Sequence, residues 1–224
     1  MRKVYEGKTK DVFIMEDGNT MLQFKDAVTG AEGKIDSGAN EVIGEIEGKG
    51  GASLRLTVHF FGLLHAAGIP SHFVAMGAAP NSIIVKSADS YGLEVICREK
   101  AWGSFVRRYG KYVVQGTPLP SLVEFTLKDD KRGDPLITTD ALAALDIVTP
   151  TEAEYMARTA REITALIKAD LASRNLDLIG IKYEFGAVDG YPLLIDEISG
   201  DSMRVVKDGK ILLSNELAEA ILGS

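Results

Sequence analysis

The chain has 224 residues, 46% of them hydrophobic and 25% charged, which suits one large globular domain or two small ones and excludes a disordered or fibrous protein. With 25 Lys and Arg against 32 Asp and Glu the net charge is −7, which argues against general nucleic-acid binding but not against a small anion held by local cations. The single cysteine, Cys97, excludes an intrachain disulfide. No apolar run approaches the roughly 20 residues of a membrane span, and Met1 to Tyr5 does not open a signal peptide. A cytoplasmic enzyme with no membrane and no nucleic-acid partner is expected.

Val4-Tyr5, Asp11 to Met15 and Thr20 to Phe24 read as strands, punctuated by Gly7 and Asp17-Gly18. Two successive hairpins predict a small antiparallel sheet. Within the first, Glu6-Gly7-Lys8-Thr9-Lys10 spaces two lysines so that a strand would point both ammonium groups to one side. Such a hairpin can lie over phosphates, with the lysines as point charges. The plainer alternative is a surface hairpin with solvated lysines; the P-loop spacing is absent. Residues 26–52 are rich in glycine and charge and are expected to be loops, partly mobile.

Leu54 to Ala67 predicts a buried helix, apolar on all sides and ended by Gly68-Ile69-Pro70. His59 and His65 do not share a helix face well, so structural roles are expected for them and for His72 rather than a zinc site. Ile83 to Val85 and Leu93 to Cys97 read as strands. After the second come Arg98-Glu99-Lys100-Ala101-Trp102-Gly103-Ser104 and the pair Arg107-Arg108. Arg98, Ser104 and this pair can bind a phosphate or carboxylate, although Arg107 and Arg108 read as an exposed helix start and Trp102 as a packing residue. Residues 111–135 hold three of the seven prolines and are expected to be extended and irregular.

Thr151-Glu152-Ala153-Glu154, after Pro150, reads as a capping box. It opens a helix with the stripe Met156, Ala160, Ile163, Ile167 and Leu171. Residues 179–186 and 191–198 form a hairpin around Asp189-Gly190, and 217–222 a terminal helix. A three-residue loop, 188–190, would pair 184 with 194 and 182 with 196. That register puts Lys182, Glu184 and Asp196 on one face, with both carboxylates near enough to flank a metal. A two-residue Asp-Gly loop would set them on opposite faces. A Lys182–Asp196 cross-strand ion pair is the simpler alternative. Strands and helices in segregated blocks predict an α+β fold with an antiparallel sheet and a boundary near residue 80.

These segments together resemble the SAICAR synthetase (phosphoribosylaminoimidazole-succinocarboxamide synthase) family of purine biosynthesis. The likeness is carried in order by Tyr5 to Phe13, Gly48-Lys49-Gly50, Arg98 to Arg108, Leu127-Lys128-Asp129-Asp130 with Gly133-Asp134-Pro135, Lys182 to Gly186, and Asp196 to Arg204. It implies an α+β fold with a small lobe (1–80) covering nucleotide and a larger lobe (81–224) binding substrate and metal. It implies an ATP- and magnesium-dependent ligase that phosphorylates the carboxylate of an aminoimidazole ribonucleotide and then joins it to the amine of aspartate. It also implies a homo-oligomer. By the same resemblance Gly7, Lys8, Lys10, Lys128, Glu184 and Asp196 are nucleotide contacts. Glu184 and Asp196 are also the metal residues, and Lys182, Lys10 and Asp196 act in catalysis. Arg98, Ser104, Asp134, Ser199, Asp201 and Arg204 are expected to hold the substrates.

The chain departs from the family pattern in places. Glu99 replaces an asparagine and Gly180 an acid. Gly51-Ala52-Ser53-Leu54 replaces an asparagine-rich helix start, Gly200 replaces a proline, and the basic tail is not recognisable in 208–224. Glu99 beside Arg98 is expected to disfavour an anion or to hold an amine. These departures leave two alternatives: a ligase of the same fold using another carboxylate or amine, or a nucleotide-binding protein without ligase activity.

Overall fold

The structure, a computed structural model, describes residues 1–31, 33–36 and 39–223. In chain order its elements are β1 (Arg2–Glu6), β2 (Lys10–Ile14), β3 (Thr20–Phe24), β4 (Ala27–Ala31), β5 (Lys34–Ile35) and β6 (Glu41–Glu45), then α1 (Lys49–Ala66). They continue with β7 (Phe73–Met76), β8 (Ser82–Val85), β9 (Asp89–Lys100), α2 (Ser104–Tyr109), β10 (Pro118–Leu127), β11 (Leu136–Ile137), α3 (Thr139–Ala144) and α4 (Pro150–Ala172). The last are β12 (Asp177–Val188), β13 (Tyr191–Ile195), β14 (Met203–Lys207), β15 (Lys210–Ile211) and α5 (Ser214–Leu222).

Three sheets result, and every pair of named strands is antiparallel. The first runs β1-β2-β3-β8-β7, the second β11-β10-β9-β12-β14-β15 with β13 also on β12, and the third β5-β4-β6. The third sheet corrects the loop expected over 26–52, of which residues 32, 37 and 38 lie outside the described part. Its glycines hide the strand pattern, yet Val28 and Thr29 are buried against the rest. Helix α1 starts at Lys49, earlier than its apolar run, because Asp26 accepts hydrogen bonds from the amides of Gly48 and Gly50. The irregular stretch expected over 111–135 contains the ten-residue β10. Its two prolines fall at the first and third positions, before the regular pairing with β9 resumes at Leu122.

The core lies between the second sheet and α4, with α1 and α5 beside it. The stripe Met156, Ala160, Ile163, Ile167 and Leu171 is fully buried, as the 3.6-residue period requires. Each large apolar side chain so buried contributes about 1.5–3 kcal/mol. The capping box lies two residues earlier than the sequence suggests. Thr149 is the N-cap, Pro150 follows, and Glu152 closes the box. Proline is favoured at that first helical position because it has no amide hydrogen to satisfy.

Period-2 alternation divides the second sheet into two chemistries. Leu93, Val95 and Cys97 of β9 and Ile181, Tyr183 and Phe185 of β12 face the core, and the Tyr183 hydroxyl lies 2.8 Å from that of Thr164 on α4. The intervening residues Glu94, Arg98, Lys182 and Glu184 share the other face. There β13 and β14 pair with the same edge of β12, one after the other. Residues 196–202 between them are therefore displaced from the sheet and stand over that polar face.

Candidate active site

Two-residue geometry closes the β12–β13 hairpin: Val188 pairs with Tyr191 and Glu184 with Ile195. The three-residue register expected from the sequence is therefore incorrect, and Lys182 does not pair with Asp196. Asp-Gly is the favoured two-residue turn because both central positions take positive φ, as Asp189 (52°) and Gly190 (81°) do here. Asp196 nonetheless reaches the site by another route. It lies just past the end of β13 with φ 68°, a left-handed conformation that turns its carboxylate toward the polar face.

There it meets the first hairpin. Lys10 Nζ donates to both Asp196 oxygens at 2.7 and 2.8 Å and lies 2.8 Å from Glu197 Oε1. Lys128 Nζ donates to both oxygens of Glu184 at 2.6 and 2.7 Å. Lys8 donates to Asn40 at 2.9 Å and to Asp130 at 2.8 Å. Gly7 closes the hairpin, its amide donating to the Lys10 carbonyl at 2.8 Å. A β-carbon at residue 7 would stand 2.8 Å from that same oxygen. These residues line a cavity of about 690 Å³ together with Lys182 and His72.

Burial sets the electrostatics. It favours neutral carboxyls, but the Lys10 and Lys128 charges outweigh it at Asp196 and hold that carboxyl down at about 2. Burial and the Asp196 charge push Glu184 up against the pull of Lys128 and Lys10. Burial works to lower Lys10, yet Asp196, Glu197 and Glu184 raise it overall. His72 is buried, its Nε2 2.9 Å from the Asp196 carbonyl oxygen, and burial lowers it to about 4.

A second cavity, about 760 Å³, opens on the other side of Lys182 and is lined by Arg98, Ser104, Asp134, Arg107, Arg108 and Arg204 among others. Three of its arginines already have partners. Arg98 Nε donates to Glu124, Arg98 Nη2 to Ser104 at 3.0 Å, and Arg108 to Glu124 at 2.6 and 2.7 Å. Arg107 and Arg108 are both exposed, and Arg108 is in addition paired. Arg204 is bonded to Asp36. Asp134 accepts from Asn40 Nδ2 at 2.6 Å and from the Asp129 amide at 2.9 Å. Gly180 lies in register with both Arg98 and Arg204, so an acid there would have faced two arginines. Trp102, expected to be a packing residue, is half-buried and lines this cavity as well as a third one of about 450 Å³.

Residue 201 is brought to the wall between the first and third cavities, where its carboxylate is bonded to Lys49 and accepts from Ser53 Oγ at 3.3 Å. Burial and the Glu197 charge raise Asp201 to about 6 despite Lys49. Ser199 is not brought to a cavity. It is fully buried and orders the turn, its hydroxyl donating to Glu197 at 2.5 Å and accepting from the Asp201 amide at 3.1 Å. Gly200 packs on the start of α5; a β-carbon there would lie 2.8 Å from the Ser214 Cα, which leaves no room for a proline.

Glu99 is also misplaced by the sequence reading. It faces α4, bonded to Lys168 and accepting from Ser121 Oγ at 2.7 Å, because neighbours on a strand point to opposite sides and Arg98 faces the cavity. It neither repels an anion nor holds an amine there. The reading missed Asn40, Lys49, Glu94 and Glu124. Strand parity with Arg98 would have found Glu94, and Lys49 sits in the Gly48-Lys49-Gly50 motif. Asn40 carries no sequence signal.

The SAICAR synthetase family model matches residues 3–216. Over 226 residues the chain is 46% identical to the phosphoribosylaminoimidazole-succinocarboxamide synthase of Clostridium tetani, covering 99% of this chain and all of that one. It is 40% identical to the enzyme of that name from Thermotoga maritima, over 92% of this chain and 86% of the other. Among solved structures, a type-2 SAICAR synthetase in complex with ADP superposes with a TM-score of 0.87 at 30% identity, covering 99% of this chain and 98% of that one. The SAICAR synthetase of Pyrococcus horikoshii gives 0.84 at 29% identity, over 96% and 98%.

Proposed function

The chain belongs to the SAICAR synthetase family, and from that premise we propose how its residues divide the work. The activity is ATP-dependent formation of SAICAR in purine biosynthesis. A carboxylate is a poor electrophile until phosphorylation gives it a leaving group, so the first step moves the γ-phosphoryl of ATP onto the ribonucleotide carboxylate. The nitrogen of aspartate then forms the C–N bond as the C–O bond to phosphate breaks. The two protons that the ammonium group loses on becoming an amide N–H end on phosphate and solvent.

In this reading the 690 Å³ cavity takes the nucleotide and the 760 Å³ cavity the ribonucleotide, with Lys182 between them. Lys8, Lys10 and Lys128 neutralise phosphate charge, and phosphoryl transfer needs little more than positioning and neutralisation. Arg98, Ser104 and Arg204 bind the ribonucleotide by trading Glu124 and Asp36 for its anionic groups. Asp201 stands between the nucleotide cavity and the 450 Å³ one, and Asp134 stands near the amine substrate. Residues 1–80, together with β8 (Ser82–Val85) of the same first sheet, cover the nucleotide, and the rest of the chain carries the acceptor and metal ligands.

The residues present fit a magnesium ion. The buried carboxylate of Glu184 and the half-buried one of Asp196 converge, and Glu184 is raised partly by the Asp196 charge, a repulsion that a cation relieves. Magnesium typically takes one or two carboxylates plus phosphate oxygens, so Glu184 and Asp196 would suffice to hold it. When bound it supplies charge neutralisation at the phosphates. The family resemblance supports a homo-oligomer, which light scattering would test. The buried single cysteine supports a cytoplasmic setting.

The observation that carries the reading is Lys10 bonded to Asp196 across 186 residues of sequence, which joins the first hairpin to the 196–202 loop. The test is ADP release with magnesium–ATP, carboxyaminoimidazole ribonucleotide and aspartate, omitting each in turn and weighing the product. Release that requires all three, with the succinocarboxamide mass, is expected. Release independent of aspartate would overturn the ligase assignment.

A further inference from the structure

The nucleotide and acceptor cavities share a narrow wall: Ala39, Asn40, Glu94, Lys182 and Ser202 line both. Glu94 is the one carboxylate among them. It is buried to 5% exposure, and its position is fixed from both sides, opposite Thr126 on β10 and Glu184 on β12. Its Oε2 accepts from the Thr126 hydroxyl at 2.9 Å, and its Oε1 accepts from Lys182 Nζ at 2.5 Å. A primary ammonium group therefore already sits on Oε1, at the boundary where an attacking nitrogen has to stand.

Lys182 has a second demand on it. Its side chain is 30% exposed, into both cavities, and in the ligase reading the transferred phosphoryl group competes with Glu94 for its charge. A buried carboxylate that loses its cation needs another. The amine substrate brings one of the same chemistry, an ammonium on a tetrahedral carbon.

We propose that Glu94 Oε1 is the docking point for the ammonium group of the amine substrate, the place taken in this structure by the Lys182 ammonium and ceded when Lys182 turns to the phosphoryl group. The proposal rests on the ligase reading and adds a binding group for its second substrate. It brings the nitrogen to the wall between the cavities, beside the carboxylate that both must reach. Thr126 orients the carboxylate by occupying Oε2, which leaves Oε1 for the incoming amine.

The test uses two amines that differ in charge. Aspartate arrives as an ammonium, whereas hydroxylamine is neutral at pH 7.5 and attacks acyl phosphates without docking as a cation. ADP release is measured with each, at saturating magnesium–ATP and ribonucleotide, in the full-length protein and in Glu94→Gln. The substitution is expected to raise the KM for aspartate about tenfold or more, the scale of a hydrogen bond to a charged group. Hydroxylamine-supported release and the KM for ATP should stay within about threefold, since neither uses that charge. Thr126→Val should raise the aspartate KM selectively but less. Equal loss with both amines would mean that Glu94 acts through Lys182 on the phosphates, and the docking proposal would fall. An unchanged aspartate KM would sink it too. ADP-induced thermal stabilisation reports folding; if Glu94→Gln lacks it, Thr126→Val decides by the same criterion. Wild-type protein without aspartate-dependent release would instead defeat the ligase reading itself.

Discussion

The two ends of the active site solve the problem of buried charge differently. At the nucleotide end, lysines from the first hairpin and from the end of β10 reach carboxylates on β12 and on the loop after β13. At the acceptor end, Arg98 and Arg108 are held by Glu124, and Arg204 by Asp36. A lysine ammonium with three donors can keep a carboxylate and still meet a phosphate. An arginine engaged by a carboxylate must exchange that partner, so its net gain from a ligand is the difference between two anions. The nucleotide end is therefore preorganised, and the acceptor end is selective.

The largest effects should come from breaking the preorganised end. Asp196→Asn should lower turnover by about a thousandfold or more, since it removes charge where the phosphoryl group is transferred. It leaves Lys10 its partner Glu197, so the fold should survive. Lys10→Ala should lose as much activity and also cost about 3 kcal/mol of stability, because it strands the buried Glu197 and the half-buried Asp196. Steady-state ADP release and chemical denaturation separate the two variants. Equal stability of the pair would show that Lys10 serves the phosphates alone.

At the acceptor end the expected losses are smaller and appear in binding. Arg98→Lys keeps the charge but cannot hold Glu124 and Ser104 in one planar fork. The ribonucleotide KM should rise about ten- to a hundredfold, with the ATP KM little changed, as expected for one charge-assisted contact of about 1.5–3 kcal/mol. If both KM values rise together, the two ends are not independent and the comparison fails.

How much of this was legible follows the same division. The α4 stripe, the strand pairs and the residue types at the nucleotide end follow from period and motif, because local spacing fixes which side a residue faces. The β12–β13 register did not, since one residue of loop length decides it. Asp196 reaches the site through a positive φ that no pattern announces. The third sheet was hidden by its glycines, and the Thr149 cap by a competing Thr-x-x-Glu two residues later. Glu124 and Asp36 were missed because the partner of a buried arginine is chosen by the tertiary fold.

His72 ties the nucleotide end to the stability of the fold. Burial lowers it to about 4 from 6.5, so between those values the unfolded chain binds a proton that the native state refuses. Its contribution is therefore present at pH 7 and is lost as pH falls toward 4. Asp201 has the opposite sign: raised to about 6, it takes up its proton more readily when folded and favours the native state as pH falls through 6. Comparison with His72→Gln cancels the Asp201 contribution. The stability advantage of wild type over the variant should shrink by about 1.5 kcal/mol between pH 6.5 and pH 5, since the unfolded histidine is half protonated at 6.5 and the slope approaches about 1.4 kcal/mol per pH unit only below it. A constant advantage across that range would show that His72 is not held neutral beneath Asp196.

Glu99 should have the smallest effect on catalysis, although the sequence alone makes it look like the boldest departure at the acceptor end. Arg98 and Glu99 are adjacent on β9, so only one of them can face the ligand, and the arginine does. Glu99 is instead buried under α4 with Lys168 and Ser121. Lys168 is itself about half exposed and can return to water, so its pair with Glu99 contributes little. Glu99→Gln keeps the shape and the hydrogen bond to Ser121. All three substrate KM values should remain within about twofold, with stability lowered by about 1 kcal/mol or less. A change confined to the aspartate KM would contradict this and return Glu99 to the acceptor site. An unaltered kinetic profile would mean that selectivity at that end resides in Arg98, Arg204 and the carboxylates they must release.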